Sequence, residues 1–327
     1  MFNESFFGYG IYALPEFEFE NGRVLSDVKV EYLISGTPKY DDDGNVSNAI
    51  VYCHSYSGSC YSINDLYSLT GEHAPFDRNN YLLISITSLG FPESCSPSST
   101  GLNHRFPAFS VLDCVNFKKQ FLKVLGIEKV LGVTGKGLGG YEVYTWACEY
   151  PDDMKFIMVC DSSFKTNGYR YTFSKAIDGI MESSEGFYSE TYDVSLSQTM
   201  VSIYRLIYSN YFSKRILQEM SNDEIDVLMD DFVEEGLFTD IYDLKYRNDF
   251  IMAYNLEDKL NNIKASTLIF ASTDDIYYSH KYDCLPLEEL IADSEIVLYD
   301  SHNDAEGYEH QKVLAEAFDR FLKKIEE

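Results

Sequence analysis

Short runs rich in β-branched and aromatic residues recur along the chain at 27–34, 49–53, 81–87, 129–134, 156–160, 267–271 and 295–299. Runs of this length, bounded by polar or glycine-containing breaks, predict strands. The stretches between them carry helical spacing. Over 110–125 the apolar residues Val111, Cys114, Val115, Leu122 and Leu125 fall on one face, while Asp113, Lys118 and Lys119 are expected to point to water. A second amphipathic helix is predicted over 141–150. A last one covers 308–325, with Lys323 and Lys324 in the final turn where they complement the helix dipole. Strands alternating with helices predict an α/β protein with a mostly parallel central sheet flanked by helices on both faces.

From about 165 to 262 the alternation stops. The composition turns to Tyr, Met, Ser and acidic residues, with helical spacing at 176–181, 199–208, 223–233 and 246–254 and no strand-like run. This predicts a helical cap inserted over 165–262, with 1–164 and 263–327 forming the core and the cap lying over the carboxyl edge of the sheet. Asp41-Asp42-Asp43-Gly44 reads as a hairpin turn, since the further oxygen ligands of a calcium loop are missing at the required spacing.

Among 327 residues, 45% are hydrophobic and 24% charged, the balance of an ordered globular chain, and the net charge is −27. Nucleic acid and anionic membrane surfaces are repelled at that charge, so neither is expected as a partner. Seven cysteines show neither a C-x-x-C pair nor a His-Cys spacing, so reduced thiols are expected, with no metal site and no cofactor. The first residues lack a cationic segment followed by an apolar one, and no run approaches the ~20 apolar residues that span a bilayer. A cytoplasmic location is expected.

The chemistry concentrates in Gly135-Lys136-Gly137-Leu138-Gly139-Gly140, between the apolar run 129–134 and the helix that follows. Three readings compete. A strand turning into a helix through small residues is where a G-x-S-x-G turn displays a catalytic serine, and here Gly137 stands at the serine position. The same letters match G-x-G-x-x-G, a dinucleotide fingerprint, with Asp161 ending the next apolar run as a ribose ligand. The third reading is a glycine-rich turn without chemistry. A Walker A reading fails, because Lys136 is followed by glycine rather than Ser or Thr.

Beyond this turn, the segment from Asn21 to Tyr32, the stretch Val51-Tyr52-Cys53-His54-Ser55-Tyr56-Ser57-Gly58, and Ser96-Pro97-Ser98-Ser99 follow one another in a familiar order. Phe106-Pro107, Leu125-Gly126-Ile127, Trp146-Ala147 and Tyr150-Pro151 continue it. The chain resembles the homoserine O-acetyltransferase family of α/β-hydrolases over nearly its full length. The resemblance implies the α/β-hydrolase fold with its helical cap and acyl transfer through a Ser-His-Asp triad, disabled here by Gly137 at the nucleophile position. By that resemblance Asp275 is the acid, with Asp274 its rival, and His302 in Ser301-His302-Asn303-Asp304 is the base. The N–H groups of Leu138 and of Ser55 or Tyr56 would form the oxyanion hole, and His54 would pack beneath that loop. Lys136 is expected to point away from the cleft, and Cys60 and Cys95 to lie in loops near it. The family's cap arginine, which holds an amino-acid carboxylate, aligns with Tyr204, and Arg205 lies one step, about 100° of helix, to the side. The implied partner is a small-molecule acyl donor or ester, and the implied assembly a homodimer through the cap. An ester hydrolase of the same fold and a non-catalytic binding protein remain the alternatives.

Overall fold

A computed structural model of the chain describes residues 2–189, 195–210, 212, 214–300 and 308–326. Among these the strands are β1 (Gly8–Glu18), β2 (Val24–Gly36), β3 (Ala49–Cys53), β4 (Leu82–Ile86), β5 (Gly132–Lys136), β6 (Phe156–Cys160), β7 (Ser266–Ser272) and β8 (Ser294–Tyr299). They form one sheet in the order β1-β2-β4-β3-β5-β6-β7-β8. The β1–β2 and β2–β4 pairs are antiparallel, and every other pair is parallel. The helices are α1 (Tyr67–Thr70), α2 (Val111–Val124), α3 (Leu138–Glu149), α4 (Gly168–Glu182), α5 (Ser195–Tyr208), α6 (Lys214–Glu219), α7 (Asn222–Phe238), α8 (Ile241–Ala253), α9 (Leu287–Leu290) and α10 (Tyr308–Glu326).

Strands β3 and β4 are buried at every residue, and β5, β6 and β7 at all but one end. A parallel sheet covered on both faces requires this, and it explains why these segments read as unbroken apolar runs. On one face α10 lays down Leu314, Ala317, Phe318, Phe321 and Leu322 against Phe156, Leu268 and Phe270. That spacing is one helical stripe, and each buried Leu or Phe contributes roughly 1.5–3 kcal/mol. On the other face α2 and α3 cover the sheet. The pairings Cys53↔Gly135, Lys136↔Cys160, Cys160↔Phe270 and Ser272↔Tyr299 bring the carboxyl ends of β3, β5, β6, β7 and β8 into one row.

Helices α4 to α8 lie between β6 and β7 in sequence. They share a core of their own, built from Phe173, Ile177, Met181, Met200, Ile203, Tyr204 and Leu244, and Tyr56 and Tyr277 pack against it from the sheet side. No helix among the described residues is long and apolar enough to cross a membrane.

Several expectations fail for physical reasons. Strand β1 is not anticipated, because at the sheet's edge only Leu14 and Phe17 of its residues are buried. Pro15 interrupts its pairing opposite Asp27, whose φ of 54° marks an irregularity in β2; an edge strand tolerates such a proline. Helix α6 is also unannounced. Helix α3 is not amphipathic: Leu138 to Cys148 are all buried, since the sheet, α2 and the turn Glu257–Asn262 enclose it. Asp113 and Lys118 do not face water either. Asp113 closes the α2 capping box with Ser110 and accepts the Glu20 N–H at 2.8 Å. Lys118 is fully buried, with its Nζ 2.8 Å from Glu142 Oε2 on α3 and donating to Ser88 Oγ. Ser88 Oγ in turn donates to Glu142 Oε1 at 2.5 Å.

A buried ion pair broken on one side leaves a charge without compensation. Lys118→Met is therefore expected to lower unfolding free energy by about 3–5 kcal/mol in urea titrations, with the double variant Lys118→Met/Glu142→Leu recovering most of it. A single-variant cost below about 1 kcal/mol would mean that water or relaxation compensates Glu142.

Candidate functional site

Strand β5 ends at Lys136, and α3 begins at Leu138. Gly137 joins them at φ 56° and ψ −117°, a conformation that side-chain-bearing residues rarely adopt. The flanking glycines are steric requirements. A Cβ on Gly139 would stand 2.0 Å from the Cys53 carbonyl oxygen, one on Gly135 2.7 Å from the Gly139 carbonyl, and one on Gly140 2.3 Å from Ser162 Oγ. Gly137 differs from them. Its Cβ would meet Ser55 Cβ and Tyr278 Cε2 at 3.9 Å and the Asp161 carbonyl oxygen at 4.0 Å, which is ordinary contact. The position has room for a side chain. The turn is held by Gly137 N–H donating to the Cys160 carbonyl (3.0 Å) and by Ser162 Oγ donating to the Gly137 carbonyl (2.6 Å).

The loop after β3 lies against this turn. His54 is buried, and its Nε2 accepts the Ser88 N–H at 2.9 Å, which leaves Nδ1 to donate to the Ser55 carbonyl at 2.8 Å. Burial, with the Lys118 charge adding to it, pulls the His54 pKa down to about 3, so the ring is neutral. The same carbonyl accepts the Gly58 N–H at 3.0 Å. Across a trans peptide, C=O and N–H point in opposite directions, so the Tyr56 N–H is turned away from His54. Neither it nor the Leu138 N–H has a hydrogen-bond partner among the described residues. The Tyr56 carbonyl is tied by Arg247 Nη1 at 3.0 Å, a buried guanidinium lying over the rings of Phe91 and Tyr56.

Two carboxylates stand at the strand ends. Asp275 Oδ1 accepts the N–H groups of Tyr277 and Tyr278, both at 2.7 Å. Burial, reinforced by the charge of Asp161, raises its pKa to about 7. Asp274 turns back on its own strand, with Ser272 Oγ donating to its Oδ1 at 2.6 Å. Asp161 is buried at φ 41°, and its oxygens accept the Ser272 N–H (2.9 Å) and the Tyr299 hydroxyl (2.6 Å). Lys136 does not turn away as expected but reaches this carboxylate, with Nζ 3.8 Å from Oδ2. With both oxygens of Asp161 committed, a ribose-binding role for it is without support.

The remaining predicted residues are dispersed. His302 lies in 301–307, outside the described residues. Tyr204 is buried in the core of the inserted helices, where its hydroxyl accepts from Thr239 Oγ1 at 2.8 Å. Arg205 is exposed at the outer surface, 3.8 Å from Asp230 Oδ1. The two thiols considered near the cleft are buried, and burial pushes Cys60 and Cys95 each up to about 12, so neither is a nucleophile at neutral pH. Sequence reading missed Arg170, in the first turn of α4. Its guanidinium lies over the rings of Tyr277 (5.3 Å) and Tyr56 (5.9 Å). Arg247 was likewise unassigned, and no motif marks either arginine; Asp161 was read only as a ribose ligand, not as the neighbour of Asp275.

No protein-family model matches the chain. A probable acyltransferase of Methanothermobacter thermautotrophicus is 36% identical over 291 residues, 89% of this chain and 90% of that protein. A homoserine O-acetyltransferase of Methanohalobium evestigatum is 26% identical over 82% of this chain, which spans 62% of that protein. Among solved structures, an acetylester hydrolase of Corynebacterium glutamicum superposes with a TM-score of 0.81 over 98% of this chain and 99% of its own, at 22% identity. The architecture is thus the α/β-hydrolase fold, and the chain belongs to the homoserine O-acetyltransferase-like acyltransferase family of that fold.

Proposed function

We propose that the chain binds a small acyl ester or acyl donor at the β5–α3 turn, and that Gly137 stands where a nucleophilic serine completes the acyl-transfer site in working relatives. The observation that carries this reading is the turn itself: a positive-φ residue with space for a side chain, beside Ser55 of the loop after β3, with the N–H groups of Tyr56 and Leu138 unpartnered among the described residues. Two such donors, one from each of the two segments that meet at the turn, suit the negative oxygen that develops when an acyl carbonyl is attacked, a contribution of about 3–4 kcal/mol per donor in other hydrolases. With serine at 137, its Oγ would attack the carbonyl carbon and His302 would take the proton. Asp275 would hold the imidazolium, which gives the proton to the departing alcohol or thiol as its bond to the acyl carbon breaks, and the acyl group would then pass to an acceptor hydroxyl or to water deprotonated by His302. Glycine removes the attacking atom, a loss of about 10⁶ in turnover for a triad enzyme, while leaving the donors in place. Residues 165–262 serve in this reading as the cap that covers the bound acyl compound.

Gly137→Ser is the direct test. The variant is expected to be labelled by a fluorophosphonate probe where the parent is not, and His302→Ala in that background to abolish labelling. Because serine must accept φ 56°, it should also cost about 1–3 kcal/mol of stability. If Gly137→Ser stays unlabelled while the parent binds a small ester, the site is a binding site without a dormant triad.

The raised pKa of Asp275 makes a second, independent prediction. Folding holds its proton more tightly than the unfolded chain does, so ionisation opposes folding. That penalty is absent below the unfolded value of about 3.9, grows through the interval up to about 7, and is complete above it. Asp275→Asn removes the penalty. The melting temperature of the variant relative to the parent should therefore climb between pH 4 and pH 8; a difference independent of pH would contradict the buried, ionisation-resisting site.

A further inference from the structure

Among the described residues, the buried and half-buried cations are nearly all paired. Lys118 has Glu142, Lys119 has Asp153, and Lys245 has Asp178, Asp249 and Glu182. Among the described residues Arg247 lacks a carboxylate at ion-pair distance but spends its N–H groups on the carbonyls of Tyr56 (3.0 Å) and Asp243 (3.2 Å). Arg170 has neither solution. Among the described residues no carboxylate stands within ion-pair distance of it, in a chain with 53 acidic residues and a net charge of −27. Its Nη1 bonds Ser174 Oγ at 3.1 Å on its own helix, and its charge otherwise meets the four tyrosines Tyr278, Tyr141, Tyr56 and Tyr277. Rings stabilise a guanidinium through their faces, and a phenol accepts one hydrogen bond, but five N–H donors exceed what these groups take up.

The tyrosines also place the arginine. Tyr278, whose hydroxyl is within electrostatic reach of Arg170, has its Cε2 3.9 Å from where a Cβ on Gly137 would stand. Tyr56 supplies one of the two unpartnered N–H groups and lies under the same guanidinium. Building on the acyl-ligand reading, we infer that Arg170, framed by Tyr56, Tyr277 and Tyr278, is an anion-holding subsite for an acyl compound whose non-reacting end carries a carboxylate or phosphate-type group. A half-buried guanidinium without counter-ion gains charge-assisted, bidentate hydrogen bonds from such a group that solvent and phenols do not supply.

The parent protein, with Gly137, allows binding to be measured by calorimetry without acylation of a serine. The probes are monomethyl succinate, its neutral counterpart methyl butyrate, and methyl 3-phosphonopropionate. At least one anionic ester is expected to bind about tenfold to a hundredfold more tightly than methyl butyrate, and which one does so assigns the anion as carboxylate or phosphate-type. Arg170→Met should remove that margin, and Arg170→Lys should retain part of it, with methyl butyrate unaffected by either. Arg170→Lys also keeps the test open if the methionine variant does not fold. Binding of methyl butyrate with no margin for either anion overturns this inference and leaves the acyl-ligand reading standing, as does a margin that survives Arg170→Met. Failure of all three esters to bind overturns both.

Discussion

The β5–α3 turn is pressed against the end of β3 so closely that residue 139 has no space for a Cβ: one placed there would lie 2.0 Å from a main-chain oxygen of β3. Neither partner can yield, because β3 is hydrogen-bonded on both sides in the middle of the sheet and α3 is enclosed along almost its whole length. Contacts of this kind fix backbone against backbone rather than side chain against side chain. Everything at the candidate site follows from that contact. It sets Leu138 as the first residue of a buried helix, brings the loop after β3 alongside, and leaves residue 137 at a strained dihedral that glycine accepts at least cost.

Holding that loop takes polar groups as well as steric contact. The Ser55 carbonyl is fixed from the core through His54, whose other nitrogen reads the Ser88 N–H, while the Ser88 hydroxyl joins Lys118 and Glu142. The next carbonyl, that of Tyr56, is fixed from the inserted helices by Arg247. Two successive peptide units are therefore oriented by different parts of the molecule. A half-satisfied network in this position would be worse than an apolar one, because each buried group left alone costs more than its bond returns. Here the charges are paired, and the N–H of the peptide between the two clamps is oriented before any ligand arrives. Glycine at 137 leaves that arrangement intact, since none of its members depends on a side chain there.

Much of the core was legible. β3 and β6 coincide residue for residue with the apolar runs 49–53 and 156–160, because a strand buried on both faces has no polar positions to blur its ends. β1 was invisible for the opposite reason, as an edge strand with two buried residues and a proline carries no periodic signal. Lys118 misled because a helical wheel assigns lysine to water by type, and only the tertiary approach of Glu142 reverses that. The glycine turn and the strand-end Asp275 were readable as local patterns. Arg170 and Arg247 were not, since their roles arise from rings and carbonyls brought together from segments up to 191 residues apart. The candidate base, His302, lies outside the described residues.

The charges around the turn are arranged with a direction. On the sheet side Asp161 is held by a tyrosine hydroxyl, a main-chain N–H and the Lys136 ammonium. Asp275 is buried beside it, and burial first, with the Asp161 charge adding to it, raises its pKa. On the side of the inserted helices stands Arg170, with tyrosines rather than acids around it. In the acyl-ligand reading, a ligand at the turn would have the strand-end carboxyl groups on one side and a guanidinium on the other, in a region where low polarisability strengthens electrostatic contacts. In the acyl-ligand reading, a neutral ester feels little of this field. One with an anionic tail is turned by it, tail toward α4 and away from the strand ends, so that orientation is set by charge before the carbonyl reaches the N–H groups of Tyr56 and Leu138.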